Sequence, residues 1–439
     1  MKKGLYCIVF LLPIFICFQF TACGEGEKPV SFDLSGNISS SNDITPQNIC
    51  TITNYCQGFD AEGYYHLRPR SDGTHNLCFI DYNAKQNVIL CNRPECLHDD
   101  ETCNSWIGSI YNVPRVLTAS DGLLLIYPGN AIAAETDDSI YPHIDKLDFN
   151  GTNRRTLLEL DPLSMFADYY YAIADNTLYY QLDLYQDTQS LQKRFCIESL
   201  DLSTGKCTRI LEKDSDRSFL MGACSEGLVI KDIQLMGGQI DSVPNVVHTL
   251  SLLDFSSGRV QELLSWKNDE KIEFIGREKL YYVTNEHVLH AVDYTTQEDQ
   301  VVAGKAIQDY WDKQEFPADT VLRILFELQD KLVFQVSSID RELLSTNDHL
   351  FYVDLLKKAI FPLSFDPQVN PNTSDSLAIR IVNVTERYLT VIRHYRSEEV
   401  STEENGEVVL YTDYLPEYTL LGCDSFFDDK EDFLTIQNS

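Results

Sequence analysis

Seven times along this chain an apolar segment ends in aspartate, passes through a short polar turn and resumes as a second apolar segment. The aspartates are Asp81 (CFIDYNAKQNVIL), Asp148 (DKLDFNGTNRRTLL), Asp201 (ESLDLSTGKCTRIL), Asp254 (SLLDFSSGRVQELL), Asp293 (HAVDYTTQEDQVV), Asp354 (FYVDLLKKAIFPL) and Asp413 (LYTDYLPEYTLL). An aspartate at a strand end caps the following turn with its carboxylate, and Gly or Asn supplies the positive-φ position that such a turn needs. Upstream of each aspartate lies another strand that opens on an Asp, Asn or Gly turn and often carries paired aromatics. Examples are Gly122–Tyr127, Leu178–Leu182 and Lys279–Val283. Short aromatic and branched segments punctuated in this way predict strands.

Each repeat therefore predicts one four-stranded meander, and a lone meander cannot cover both of its apolar faces. Stacking such units around an axis covers them, which is the logic of a β-propeller blade. The expected fold is all-β: a β-propeller, with seven four-stranded blades over 49–439. The spacing is uneven, shortest from Asp254 to Asp293 and longest from Asp81 to Asp148, and loops absorb the difference. Tryptophan occurs only at Trp106, Trp266 and Trp311, so the tryptophan-docked and WD-type repeats are absent. Helical periodicity is local, near 305–315 and near 157–168, and both places read as insertions.

The first residues read as an address rather than as part of that fold. Lys2 and Lys3 precede an apolar stretch over 4–20, and Phe20-Thr21-Ala22-Cys23 follows. This resembles the lipobox of bacterial lipoproteins, in which small residues precede a cysteine that is acylated before cleavage. The resemblance implies a signal peptide over 1–22, lipid on Cys23 and a location at the cell membrane, facing outside the cytoplasm. More than one acyl chain is needed for firm anchorage. Residues 23–48 are polar and without periodicity, a tether whose random-coil reach is roughly 25–30 Å.

The formal net charge of −32 opposes nucleic acid and anionic surfaces as direct partners, since phosphates would be repelled. Solubility is the ordinary reading of such a charge. No nucleophile elbow, P-loop, dinucleotide fingerprint or H-E-x-x-H occurs, and no catalytic residues are assigned. His287 and His290 are expected near a strand and its hairpin, in surface or cross-strand roles.

One segment is chemically dense. Between Leu90 and Asn104 lie Cys91, Cys96, His98 and Cys103, an insertion over 91–104 spaced C-x4-C-x-H-x4-C. Disulfides, with Cys50, Cys56 or Cys78 as further partners, are the first expectation for an exported chain. Zinc held by three thiolates and one imidazole is the second, although Cys96 and His98 would have to chelate across a single residue. Free thiols are the third. The acidic run Asp99-Asp100-Glu101 is a weaker candidate for calcium. The segment resembles one found in a poorly characterised family of lipoproteins from anaerobic Gram-positive bacteria, where it also follows the first blade-like unit. That resemblance implies the anchored propeller but no reaction, cofactor or ligand.

Three functions follow as expectations. The first is a lipid-anchored extracellular propeller that binds or scaffolds an unknown ligand through loops at one end of its axis. The second is a propeller enzyme acting on glycans or peptides, with carboxylates or a histidine converging at the axis. The third is a solute-binding lipoprotein of a transporter, which would be α/β with long helices.

Overall fold

Every residue of the strand Gly122–Tyr127 is buried, although successive side chains of a strand point to opposite faces. Both faces are covered. Leu123, Leu125 and Tyr127 pack toward the sheet before it, and Leu124 and Ile126 toward the sheet after it. The same double burial recurs around a ring of seven sheets, and the chain is a seven-bladed β-propeller, as its repeats predict.

The computed structural model describes residues 49–52, 62–108, 111–131, 140–187, 192–236, 245–268, 271–317, 320–365, 368–369, 376–377 and 379–438, apart from 341–344 and 405–406. For 49–52, 168–169, 339–340, 345–347, 368–369, 376–377 and 398–414 no side chain is described. Blade 1 is built from Gly63–Pro69, His75–Asp81 and Gln86–Ile89, which correspond to the second, third and fourth strands of the other blades because Gly63 faces Asp81 as Gly227 faces Asp254, and Gln437–Asn438 adds a strand outside them. Blade 2 holds Arg115–Ala119, Gly122–Tyr127, His143–Leu147 and Arg155–Glu159. Blade 3 holds Ser164–Ala174, Thr177–Tyr185, Lys193–Asp201 and Cys207–Lys213. Blade 4 holds Ser218–Ala223, Gly227–Met236, Asn245–Asp254 and Val260–Lys267. Blade 5 holds Ile272–Ile275, Lys279–Val283, Leu289–Asp293 and Asp299–Val301. Blade 6 holds Val321–Leu328, Lys331–Asp340, Ser345–Asp354 and Ala359–Leu363. Blade 7 holds Arg380–Val384, Tyr388–Glu404, Glu407–Gly422 and Leu434–Thr435.

Seven apolar clusters hold the ring, and each spans one junction between neighbouring blades. At the junction of blades 5 and 6, for instance, Val283 and Leu289 meet Leu332, Phe334 and Phe351. Burying one such side chain contributes about 1.5–3 kcal/mol, so an isolated blade would forfeit most of its stabilisation. The last junction joins the two ends of the ring. There Tyr64, Ile80 and Tyr82 of blade 1 pack on Leu420 and Ile436. The final strand Gln437–Asn438 then runs parallel to Gln86–Ile89 at the outer edge of blade 1.

The first strands of blades 3, 4, 5 and 6 touch in succession, which places them at the axis. The strand Ile49–Ile52 pairs antiparallel with the innermost strand of blade 3, Ile49 opposite Ala174 and Ile52 opposite Tyr171. The inner edge of that blade is thus occupied by the chain's own early segment.

The aspartate turns form as expected at the ends of third strands. Asp201 Oδ1 accepts from the backbone N–H of Ser203 and Thr204 at 2.9 Å each, and the Gly205 N–H donates to the Asp201 carbonyl at 2.8 Å. Equivalent bonds form at Asp81, Asp293 and Asp354. The Ser203 hydroxyl and the Thr204 amide hold the Asp201 carboxyl down to about 2. The positive-φ position is glycine at Gly205 (72°) and Gly258 (64°), but Lys85 (56°), Gln297 (58°) and Lys358 (55°) fill it in three other blades. The expectation of Gly or Asn there is too narrow: the aspartate hydrogen bonds hold an ordinary residue in the left-handed region.

Three further expectations are corrected. Asp413 does not end a strand. It lies inside Glu407–Gly422, opposite Glu398, because the middle hairpin of blade 7 runs far past its neighbours and its third strand ends at Gly422. The segment 157–168 is not helical. The preceding strand ends at Glu159, Asp161 starts a turn, accepting from Leu163 N and Ser164 N at 2.8 Å each, and Ser164 opens blade 3. The helix near 305–315 does form, as Ala306–Gln314. Finally, the α/β architecture required of a transporter's solute-binding lipoprotein is excluded: the helices among the described residues are Ala306–Gln314 and the short Cys423–Phe427.

Candidate metal centre

The Cys-rich insertion leaves blade 1 after Gln86–Ile89 and enters blade 2 at Arg115. Its start is held by Leu90, which is buried between those blades. Its far end is held by Trp106–Ile107, which pairs with His75 and Asn76, and by the Leu77 N–H donating to the Ser105 carbonyl at 2.7 Å. Between these two moorings the chain must turn back on itself.

It does so at two left-handed residues, Glu95 (φ 62°) and His98 (φ 60°). The His98 carbonyl is fixed by Asn76 Nδ2 at 2.8 Å and Arg70 Nη1 at 3.1 Å. The Asp100 carboxylate caps the next turn, accepting from the Thr102 N–H at 2.8 Å.

As a result one ligand atom from each of Cys91, Cys96, His98 and Cys103 lies within 4.8 Å of every other. His98 Nδ1 is 3.3 Å from Cys103 Sγ. Cys103 is buried, and its sulfur meets Ser105 Oγ at 3.1 Å. Arg93 Nη2 donates to Cys96 Sγ at 3.1 Å and to Thr102 Oγ1 at 3.0 Å. The Arg93 hydrogen bond pulls the Cys96 thiol down to about 7, whereas burial pushes the Cys103 thiol up.

The four residues singled out from the sequence are thus brought together, but not as disulfides. Cys78, Cys91, Cys96, Cys103, Cys196, Cys207, Cys224 and Cys423 are all free. The reason is spatial: three sulfurs and a ring nitrogen converge on one point rather than pairing. Cys78 is no partner for the insertion. It is buried in blade 1 and burial raises its thiol to about 12. Cys56 and the side chain of Cys50 lie outside the described residues, as does Cys23. The acidic run is exposed, and an Asp100 oxygen is spent on Thr102. Among the described residues this is the single gathering of three or more Cys, His, Asp or Glu ligand atoms.

His290 takes its expected cross-strand role, opposite Tyr282 and 3.0 Å from Asp299 through Nδ1. His287 stacks on Trp311 of the helix. What sequence reading missed is the support of the cluster: Arg70, Asn76, Arg93 and Ser105. Only Arg93 carried a signal, its place between two of the cysteines.

No helix among the described residues is long and apolar enough to cross a membrane. No protein-family model matches the chain. No curated protein matches it either. Among solved structures it is similar to an oligogalacturonate lyase in complex with manganese, with 11% identity, 84% of this chain and 91% of the other covered, and a TM-score of 0.46. The oligogalacturonate lyase of Vibrio parahaemolyticus gives the same values. The acylaminoacyl peptidase of Pyrococcus horikoshii is 9% identical, with 74% and 52% covered and a TM-score of 0.41. Likenesses this distant carry no argument about activity. The lipoprotein-family resemblance rests on its motifs.

Proposed function

We propose that this chain is a lipid-anchored propeller, held outside the cytoplasmic membrane by lipid on Cys23, that binds an extracellular ligand or partner with one face of its ring. The observation that carries the binding half is the segregation of its connections. In an antiparallel meander successive turns alternate between the two ends of the sheet. First-to-second and third-to-fourth strand turns therefore share one face, and second-to-third and blade-to-blade connections share the other.

The first face consists of tight hairpins, such as Asp175-Asn176 and Gln329-Asp330, and of the aspartate turns; only 423–433 is longer. The second is where the longest connections leave and re-enter the ring, between Ile89 and Arg115, Tyr127 and His143, Val301 and Val321, and Leu363 and Arg380. A rigid ring with variable loops collected at one end is the arrangement in which binding sites are commonly built. The axis offers less to a catalytic reading, since the inner edge of blade 3 is taken by Ile49–Ile52. Ile49 lies opposite Ala174, at the tight-turn end. The chain therefore enters this strand at the tight-turn face.

Two measurements test the reading. Metabolic labelling with a fatty acid should mark the wild type, and Cys23→Ser should lose the label and leave the membrane fraction; retention without label would overturn the anchor. A glycan and peptide array probed with the purified chain should give binding that falls with charge reversals on the loop face, such as Lys313→Glu, and survives Lys358→Glu on the tight-turn face. Binding with the opposite dependence, or turnover of the bound compound, would overturn the binding reading.

A further inference from the structure

We infer that Cys91, Cys96, His98 and Cys103 hold a structural zinc ion that clamps the insertion onto the first blade. The ligand atoms are already gathered within 4.8 Å, and a tetrahedron with zinc–sulfur legs of about 2.3 Å has edges of roughly 3.8 Å. Small side-chain rotations close that gap. Three thiolates and an imidazole are soft donors that favour zinc over calcium, magnesium or manganese. Four protein ligands fill a tetrahedral shell, so the site is closed to substrate and its role is architectural.

The obstacle visible in the sequence, chelation across the single residue between Cys96 and His98, is removed by the backbone. The left-handed turn at His98 swings the imidazole back toward Cys103 instead of along the strand direction. A left-handed conformation is unfavourable for a side-chain-bearing residue, and here two of them occur within four residues, one immediately before Cys96 and one at His98 itself. The supporting shell is also in place. Arg93 donates to the Cys96 sulfur, Ser105 meets the Cys103 sulfur, and Arg70 and Asn76 fix the His98 carbonyl. Donors of this kind orient metal ligands and offset the charge of a tris-thiolate site. A disulfide between any two of the cysteines would use neither the third thiol nor the imidazole, whereas one zinc ion uses all four.

The clamp also deepens the binding reading, and this consequence alone rests on it. Leu97 sits between two of the ligands and is 80% exposed, so the metal would hold an apolar side chain out on the loop face.

The test is elemental analysis of the full chain purified without added metal. One zinc per chain is expected, replaceable by cobalt with the intense visible absorption of a tetrahedral cobalt thiolate. Cys96→Ser and Cys103→Ser should each lose stoichiometric zinc, and Cys78→Ser, outside the cluster, should keep it. Arg93→Ala should weaken zinc binding by about 10–100-fold. Because a cysteine variant can misfold, the wild type is also stripped with a chelator and digested briefly with protease. Cleavage confined to 91–104, reversed by zinc, supports the clamp. Wild type that binds no zinc at micromolar concentration, or carries a disulfide within 91–103, overturns the site. Zinc that leaves without altering cleavage overturns the clamp while leaving the anchor and the binding face to their own tests.

Discussion

The Tyr82 hydroxyl of blade 1 lies 2.6 Å from Thr390 Oγ1 of blade 7, a buried hydrogen bond between residues at opposite ends of the folded chain. Asn383 Nδ2 donates to the same hydroxyl at 2.8 Å. A single phenol thus ties the last junction of the ring to the first blade, where no covalent continuity helps.

Tyr82→Phe keeps the ring's apolar contacts and removes the oxygen. It leaves buried Thr390 and Asn383 short of a partner, at a cost of about 1–3 kcal/mol. The unfolding free energy from urea titration should fall by that amount and the midpoint with it, while Tyr111→Phe, at an 83% exposed residue, should leave both unchanged. Equal midpoints for all three proteins would show that the seam does not limit stability.

Gly227 opens the second strand of blade 4 directly opposite Asp254. A Cβ there would run into the backbone carbonyl of Leu253, which cannot rotate away. Gly227→Ala is expected to cost about 1–3 kcal/mol, as overpacking does, measured as a lower unfolding midpoint. A neutral substitution would mean that the two strands can part at this point.

The left-handed turn residues give a paired prediction. Gly258→Val places a branched side chain at a φ of 64° and should destabilise by more than about 1 kcal/mol. Lys358→Gly relieves the same conformation at 55° and should be neutral or stabilising by up to about 1 kcal/mol. Thermal melts decide both, and a loss from Lys358→Gly larger than that from Gly258→Val would contradict the turn argument.

His66 is buried between the rings of Tyr64 and Tyr418, and burial lowers its pKa from the ordinary 6.5 to about 4. The unfolded chain therefore takes up this proton at higher pH than the folded one. Stability is fully present above pH 6.5 and is lost as pH falls from there toward 4, by about 3 kcal/mol in all. Between pH 7 and 5, before carboxylates titrate strongly, wild type should lose about 2 kcal/mol more than His66→Phe. Parallel urea curves for the two proteins would remove His66 as the cause.

Some of this protein was legible from residue order alone, and the boundary has a physical reason. The aspartate turn is local: Asp201, Ser203, Thr204 and Gly205 make its bonds among themselves. Their spacing therefore announced a third-to-fourth strand turn, and its recurrence announced seven blades. Double burial is local too, since an unbroken apolar run such as Gly122–Tyr127 needs a neighbour on each side. Asp413 misled because a strand's length is set by what it packs against, and the blade 7 hairpin outruns its blade. Ring closure by Gln437–Asn438 and by Tyr82 needed partners hundreds of positions away, which no periodicity reports. The Cys and His spacing marked a dense segment but left disulfide, metal and free thiol open, because those outcomes differ only in whether sulfurs pair or converge. The turns at Glu95 and His98, the second held by Arg70 and Asn76 from a neighbouring hairpin, made them converge. Only the folded blade could supply that hold.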